Sequence, residues 1–364
     1  MKIIKLKLKE RSYPIYIEEG IIAKSGSLLR RLQLGSDAAI ITNQYLEKKI
    51  GQRLKGSLKK YNISSKIYTV PDSEKAKSFR HCLNLIDKIS KYDNNKSLFL
   101  IALGGGVIGD LTGFVASIYK RGIAYIQIPT TLLAQIDSAI GGKTAIDLPI
   151  AKNLIGAFHQ PKAVIVDPGL LKSLPKRQLK AGLAEIIKYA AIKDKPLFSF
   201  LKNNYKKIIS LDKKAVELIE TKCIAIKTRI VEQDEKEKKG IRTILNFGHT
   251  IGHAIESAGG YNKYNHGEAI SIGMICAAQI SHNLKLLREE NLDKIISLVR
   301  LYGLPTRIKG IALNKIMSSL AKDKKFIHGR NRFVLPVEIG KVKVISNIPQ
   351  DAIRKAILKH GSCY

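Results

Sequence analysis

The sequence of 364 residues has few acidic residues and no tryptophan. It contains 30 Asp and Glu against 63 Lys and Arg, which gives a formal net charge of +33. Nucleic-acid binding would be compatible with that charge, and so would a basic pocket for a small phosphorylated anion. The lysines are scattered over separated segments, however, and no interleaving of basic and aromatic residues offers a surface for base stacking. We therefore expect no nucleic-acid partner.

The sequence also lacks a run of about 18 apolar residues, which a transmembrane helix would need. Its first residues alternate like a β-strand and have neither the apolar core nor the cleavage site of a secretory signal. The four cysteines form no Cys-x-x-Cys pair and are typical of inert thiols in a reducing compartment. We expect a cytoplasmic protein without membrane contact.

The first half of the chain alternates short apolar segments with helical patterns. After an opening hairpin, strands are predicted at 37–42, 65–70, 97–103, 124–129 and 163–167, with helices such as 75–91 and 107–119 between them. This alternation predicts a Rossmann-like parallel sheet with helices on both faces. Because the chain is longer than most single domains, we expect an α/β N-terminal domain over residues 1–175.

From about Leu171 onward, amphipathic helical patterns dominate. The predicted helices are 176–193, 213–233, 244–258, 267–285, 289–302, 311–321 and 349–359. One late pair of segments, 331–338 and 341–348, predicts a small hairpin. We therefore expect a mainly α-helical C-terminal domain over residues 176–364.

A glycine-rich turn follows the predicted strand 97–103. Residues 104–109 read Gly-Gly-Gly-Val-Ile-Gly, which fits G-x-G-x-x-G at a strand end that opens a helix. That context is the one in which backbone N–H groups approach a pyrophosphate. Yet the strand is not the first of the chain, and no acidic residue lies about 20 residues further on. A tight turn that serves packing alone would have the same sequence. Asp110 is a candidate helix cap or cofactor contact.

Histidines and carboxylates cluster in the second half of the sequence. His249 and His253 stand at i and i+4, so on a helix they project from one face about 6 Å apart and could share a metal or a substrate. Thr250 occupies the position of the glutamate in His-Glu-x-x-His, which argues against a peptidase. His266 follows at the start of another helix, and Glu185 lies in an apolar helical segment. Two histidines and one glutamate are typical of a catalytic zinc site with an open position.

Several long motifs, in order along nearly the whole chain, resemble the 3-dehydroquinate synthase family. They include Asp72–Lys77, Gly104–Asp110, 119–123, 128–147, 152–161, 174–189, 245–256, 265–270 and 323–336. The resemblance implies an NAD-binding domain and a helical metal-binding domain. By motif position it implies one divalent metal, zinc or cobalt, held by Glu185, His249 and His266.

The resemblance also assigns the two small-molecule sites. The residues implied for NAD are Asn43, Asp72, Ser73, Glu74, Lys75, Ala76, Lys77, Gly106, Val107, Ile108, Gly109, Asp110, Thr130, Thr131, Lys143, Lys152, Leu170, Leu171, Lys172 and Ser173. The residues implied for the phosphorylated keto-acid substrate are Asp137, Lys143, Lys152, Asn153, Lys188, Lys227, Arg242, His253 and one lysine of the pair Lys324 and Lys325, preferably Lys325. Arg121 would reach in from the other subunit of a homodimer.

The implied reaction converts 3-deoxy-D-arabino-heptulosonate 7-phosphate into 3-dehydroquinate and phosphate, in the shikimate pathway. Transient oxidation by NAD, elimination of phosphate, reduction and an intramolecular aldol closure would follow one another, so NAD would be regenerated. Lysines and arginines would bind the phosphate and carboxylate of the substrate. His253 would handle protons, since an imidazole ordinarily titrates near neutrality.

Residues 234–242 are one residue longer than the family pattern, which leaves the role of Glu237 open. Ala151 and His159 are mild variants of that pattern. Two other enzymes would also suit the motifs: a cyclase acting on another sugar phosphate, and a metal-dependent polyol dehydrogenase that releases NADH.

Overall fold

The computed structural model of the protein describes residues 1–149, 151–321 and 331–361. The chain divides into two compact units, the first made of Met1–Leu174 with Val216–Lys236 and the second of Pro175–Ala215 with Glu237–Tyr364. Among the described residues, no helix combines the length and apolar character needed to span a bilayer.

The helices and strands are numbered in chain order. The strands are β1 (Lys2–Leu6), β2 (Tyr13–Ile17), β3 (Asp37–Thr42), β4 (Ser64–Thr69), β5 (Leu98–Gly104), β6 (Tyr125–Pro129), β7 (Lys143–Leu148), β8 (Ala151–Phe158), β9 (Ala163–Val166), β10 (Arg332–Glu338) and β11 (Lys341–Ser346). The helices are α1 (Ser25–Arg31), α2 (Gln44–Leu46), α3 (Gln52–Lys59), α4 (Phe79–Tyr92), α5 (Gly106–Ile118), α6 (Lys176–Lys193), α7 (Lys195–Asn203), α8 (Tyr205–Ile209), α9 (Lys213–Gln233), α10 (His249–Ala258), α11 (His266–Asn283), α12 (Glu289–Leu301), α13 (Leu313–Ala321) and α14 (Gln350–Lys359).

The first unit is built on a seven-stranded sheet in the order β1-β2-β9-β6-β5-β3-β4. Only β1 and β2 are antiparallel, and every other neighbouring pair is parallel. All residues of β3, β6 and β9 are buried, as expected for parallel strands covered on both faces. The predicted Rossmann-like parallel sheet is confirmed.

A second, two-stranded sheet in this unit pairs β7 with β8 in antiparallel register. Neither strand is predicted by the sequence pattern. The burial pattern explains why: five of the eight residues of β8 are exposed, so its sequence lacks the apolar run that marked the central strands.

Helix α9 has the predicted bounds, but most of it belongs to the first unit. From its position in the sequence it was expected in the C-terminal domain. Its buried Ile224 and Val231 pack in one apolar cluster with Ile15 of β2 and Val164 of β9. The helix therefore covers part of the main sheet although it follows α6 to α8 in the chain.

The second unit is mainly helical, as predicted, and contains the predicted hairpin of β10 and β11. Helix α6 has the predicted bounds. The predicted helix 244–258 is two elements, a 3-10 helix at Ile241–Asn246 and then α10. The interruption lies at Gly248, whose φ of 79° is outside the helical region.

Candidate metal centre and nucleotide-binding edge

Glu185 lies in the middle of α6, which is buried from Ala181 to Ile192. Its side chain is fully buried, and Lys188 one turn further is buried beside it. The two side chains form an ion pair through Glu185 Oε2. A carboxylate in such an interior needs cations or hydrogen-bond donors around it. Lys188 supplies one cation at Oε2, and the other carboxylate oxygen, Oε1, faces His249 and His266.

His249 and His266 are the first residues of α10 and α11. Asn265 and Glu268 form a capping box that fixes the start of α11. Glu268 also accepts two hydrogen bonds from Arg177 in the first turn of α6, at 2.8 and 2.7 Å. This bidentate pair ties the start of α11, and with it His266, to the helix that carries Glu185.

Glycines allow the three helices to approach one another closely. A Cβ atom on Gly267 of α11 would overlap the backbone of Ala181 in α6, and one on Gly273 would overlap the backbone of Gly248 before α10. Any side chain at these two positions would push the helices apart. The separation of the two histidines from Glu185 therefore depends on residues that carry no functional group.

Glu185 Oε1 lies 3.6 Å from His249 Nε2 and 3.4 Å from His266 Nε2. One atom from each of these three residues lies within 4.8 Å of the others. Ligands at 2.0–2.2 Å from one tetrahedral ion are about 3.3 to 3.6 Å apart. The two imidazoles and the carboxylate thus fit a zinc or cobalt ion, since both ions accept such ligands.

The other ring nitrogens of both histidines have acceptors. His249 Nδ1 lies 3.1 Å from the carbonyl oxygen of Phe247, and His266 Nδ1 lies 3.3 Å from Glu256 Oε2. Burial lowers the pKa of His266, but the carboxylates of Glu185 and Glu256 outweigh it and bring the pKa to about 10. A metal ion at Nε2 would displace the proton that Glu185 favours there and leave the proton on Nδ1 that faces Glu256.

His253 lies one turn after His249 but does not belong to the Glu185 group. It is exposed, and its ring centroid is 5.2 Å from that of His249. The structure thus places both histidines side by side and sets only His249 against Glu185.

In the first unit, residues assigned to NAD lie at the carboxyl ends of parallel strands. Asn43 follows β3, and Thr130 follows β6. The Asn43 side chain caps α2 by accepting from the Leu46 N–H at 2.7 Å, and it donates to Asp72 Oδ1 at 2.7 Å. Residues 170–173 lie in a 3-10 helix that follows β9. In open α/β sheets, ligands bind at this edge.

The glycine-rich turn joins β5 to α5 at the same edge. No side chain caps the first turn of α5 within the described ranges, so its N–H groups suit an anion. A Cβ on Gly105 or Gly106 would come to 3.1 Å from Thr131 or Ser138. One on Gly109 would lie 2.8 Å from Gln127 Oε1. A side chain at Gly109 would therefore displace the Gln127 amide, which donates to the Gly109 carbonyl, whereas the first turn of α5 presents backbone donors.

Lys77 is the centre of a polar cluster beside this turn. It is buried, donates to Asp110 Oδ2 at 2.9 Å and to Asn153 Oδ1, and lies 3.5 Å from Glu74 Oε1 and 3.8 Å from Asp147 Oδ1. Burial lowers the pKa of Lys77, but the surrounding carboxylates raise it above its ordinary value. The structure thus brings together Glu74, Lys77, Asp110 and Asn153, and it adds Asp147, which the sequence analysis missed.

The basic residues assigned to the substrate are distributed over both units. Lys227 of α9 forms an ion pair with Asp137 in the first unit. In the second unit Arg242 is buried, with Nε 3.4 Å from Glu237 Oε1, so the lengthened segment still presents Glu237 to this arginine.

Three further residues were implied for the substrate site, namely Lys152, Arg121 and Lys325. Lys152 lies 3.5 Å from Glu74, and Arg121 is exposed in a left-handed conformation with φ of 65°. Lys325 lies outside the described residues.

Glu256 is the functional candidate that the sequence analysis did not single out. It follows His249 by seven positions and His253 by three on α10, so all three residues share one helical face. That spacing was available in the sequence. What makes Glu256 a functional candidate is its distance of 3.3 Å from His266 Nδ1 on another helix, which the sequence does not show.

Comparisons with known proteins cover nearly the whole chain. Residues 67–181 match the family described as 3-dehydroquinate synthase N-terminal, and residues 182–326 match 3-dehydroquinate synthase C-terminal. A 3-dehydroquinate synthase of Desulforamulus reducens is 43% identical over 96% of this chain and 98% of its own.

Two solved structures of synthases are similar along nearly the whole chain. A 2-epi-5-epi-valiolone synthase from Streptomyces hygroscopicus with NAD+ and Zn2+ bound has a TM-score of 0.88 at 27% identity, over 97% of this chain and 98% of that one. A 2-deoxy-scyllo-inosose synthase complexed with carbaglucose-6-phosphate, NAD+ and Co2+ has a TM-score of 0.90 at 26% identity, over 99% and 100%.

Proposed function

Since this chain belongs to the 3-dehydroquinate synthase family, we propose that it converts 3-deoxy-D-arabino-heptulosonate 7-phosphate into 3-dehydroquinate and inorganic phosphate. The enzyme is a carbon–oxygen lyase of the shikimate pathway, which leads to the aromatic amino acids. The observation that carries this proposal is the group of Glu185, His249 and His266, whose spacing fits one divalent ion in a chain that matches the family in both halves.

We assign the metal to Glu185, His249 and His266, and NAD to the strand-end residues around Glu74, Lys77 and the first turn of α5. When bound, the ion and NAD supply Lewis-acid polarisation and reversible hydride transfer. The N–H groups of the first turn of α5 would hold the pyrophosphate of NAD, and Asn43 and Thr130 lie at the same strand-end edge. Lys77 holds Asp110 and Asn153 in fixed positions by direct contact.

Lys143, Lys152, Lys227, Arg242 and a lysine of the pair 324–325 are the groups we assign to the phosphate and carboxylate of the substrate. A dianionic substrate requires several cations, of which Arg can bind in a fork and Lys as a point charge. Lys227 and Arg242 are buried and already oriented by Asp137 and Glu237, which reduces the ordering needed on binding. We assign proton transfer to His253, whose ring lies 5.2 Å from that of His249 and ordinarily titrates near neutrality.

We further propose a homodimer in which Arg121 reaches the partner's site. Support comes from β8, an outer strand of a two-stranded sheet whose Leu154 and Phe158 are 39% and 42% exposed. Ile118, just before the segment of Arg121, is also exposed. Apolar side chains on an open strand edge are typical of a surface that pairs with another chain.

A cytoplasmic location is likewise part of the proposal. The supporting observation is that Cys82 and Cys276 are buried thiols, and burial raises their pKa to about 11 and 12. Thiols of this kind suit a reducing compartment.

The test is a phosphate-release assay on the heptulosonate phosphate with purified protein, NAD and Zn2+ or Co2+, with NADH absorbance followed in parallel. We expect phosphate and 3-dehydroquinate in equal amounts, no net NADH, and loss of activity with a chelator. Stoichiometric NADH without phosphate would replace the proposal with a polyol dehydrogenase. Phosphate release only from another sugar phosphate would make the protein a sister cyclase.

A further inference from the structure

Glu256 contacts one of the proposed metal ligands from the side away from the metal. Its carboxylate, with a side-chain exposure of 12%, lies 3.3 Å from His266 Nδ1. The opposite nitrogen of the same ring, Nε2, lies 3.4 Å from Glu185 Oε1. His266 thus stands between two carboxylates on different helices, one in the metal group and one outside it.

A neutral imidazole has one N–H donor and one lone pair, and the partner of one nitrogen decides which is which. A carboxylate accepts, so Glu256 places the proton of His266 on Nδ1 and leaves the lone pair on Nε2, toward Glu185. His249 has the same arrangement, since the carbonyl of Phe247 accepts from its Nδ1 at 3.1 Å. The two rings are therefore oriented by two different acceptors, a fixed backbone carbonyl and a side chain.

We propose that Glu256 is a positioning residue that fixes the tautomer and ring orientation of His266 for the divalent metal. This inference rests on the proposed function, because it takes Glu185, His249 and His266 as the metal ligands. Acceptors of this kind hold a ligand ring in place and increase its basicity. The negative charge of Glu256 has this effect without touching the ion.

A second ion is the competing arrangement for the same side chain. His253, Glu256 and His266 also offer three atoms within 4.8 Å of one another. Such an ion would need Nδ1 of His266 while Nε2 serves the first ion, and a ring bound to two cations must lose both of its protons. One carboxylate and the exposed His253 offer little to compensate for the loss of both protons. A hydrogen bond from Nδ1 to Glu256 requires no such loss, so it is the favoured arrangement.

The experiment measures Zn2+ and Co2+ affinity of the full chain by competition with a chelator, without substrate. Glu256→Met keeps the length of the side chain and removes the acceptor, and Glu256→Gln keeps an oxygen that can accept from Nδ1. We expect about 10- to 100-fold weaker binding for Glu256→Met and substantial rescue by Glu256→Gln. Ser257→Ala, at the next and exposed position of α10, is the matched control with unchanged affinity.

Thermal unfolding of the metal-free variants checks that each folds, and Glu256→Ala replaces Glu256→Met if the longer side chain does not fit. Wild-type affinity in a folded variant without the acceptor would overturn the inference. So would two metal equivalents in the wild type with the second lost in Glu256→Met. If the wild type binds one ion but releases no phosphate, the proposed function fails, whereas the role of Glu256 is judged by affinity alone.

Discussion

At the scale of single residues, the two histidines on α10 have different surroundings. His249 Nε2 faces a fully buried carboxylate at 3.6 Å, whereas His253 is exposed and outside that group. A ligand and a proton carrier can therefore stand one helical turn apart. We distinguish the two roles because the His249 ring faces Glu185, whereas the His253 side chain is exposed.

We predict that His249→Ala loses metal and activity together, because it removes one of three ligands. His253→Ala should keep the metal and slow turnover by about 100-fold or more, as expected for loss of a general acid or base. Metal content by elemental analysis and phosphate release distinguish the two. Equal loss of metal in both variants would contradict the ligand assignment.

Glu220 of α9 is a buried acid that the proposed chemistry does not use. It is fully buried, and among the described residues neither of its oxygens has a hydrogen-bond partner. Burial raises its pKa well above the ordinary value, and the charges of Asp167 and Glu217 add to the effect. The folded protein therefore keeps a proton on Glu220 that the unfolded chain releases above its ordinary pKa.

Because the folded state keeps the proton on Glu220, the contribution of this group to the unfolding free energy should fall as pH rises from about 4.5 toward its raised pKa. We predict that Glu220→Gln removes this loss. The difference in unfolding free energy between variant and wild type should grow by up to about 1.4 kcal/mol per pH unit. Denaturant unfolding at several pH values measures it. Glu290→Gln, at an exposed position paired with Lys294, is the control with no such slope. If the unfolding free energies of Glu220→Gln and wild type change in parallel with pH, Glu220 does not carry an extra proton in the folded state.

At the scale of elements, the metal group depends on how closely α6, α10 and α11 pack. Gly267 touches the backbone of Ala181, and Gly273 touches that of Gly248. Interiors are packed too densely to absorb even one methyl group at a backbone contact. The helices must then separate, and the ligand atoms separate with them.

We predict that Gly267→Ala lowers stability by about 1 to 3 kcal/mol and also weakens metal binding, because it moves His266 away from Glu185. Gly56→Ala in α3 is the control, since nothing lies within 4 Å of its Cβ position and alanine favours helix. Thermal unfolding and chelator competition report the two effects. Normal metal affinity in a destabilised Gly267→Ala variant would show that helix spacing does not set the ligand geometry.

At the scale of the whole molecule, the proposed metal joins three helices of the second unit. Each helix contributes one ligand, so the ion would act as a cross-link within that unit. A ligand that binds only the folded state stabilises it by an amount that grows with the logarithm of its concentration over Kd.

We predict that Zn2+ at 100 times its Kd raises the unfolding free energy of the wild type by about 2.7 kcal/mol. The same addition should leave His249→Ala almost unchanged. Differential scanning calorimetry with and without metal measures the shift in Tm. An equal shift in both proteins would mean that the ion binds somewhere else.

The fold class, the bounds of α6 and α9 and the glycine turn after β5 could be predicted from the chain alone, and family motifs implied the ligands that we propose for the metal. Periodicity and turn chemistry are local, so they are visible in the chain. The folded structure was needed to show that α9 covers part of the main sheet, that β7 and β8 pair, and that Glu256 lies beside His266. It also gave His159 a place, stacked on Tyr125 at a centroid distance of 5.3 Å. These outcomes depend on which surfaces meet when the helices and strands pack, and that is fixed by contacts between residues far apart in sequence.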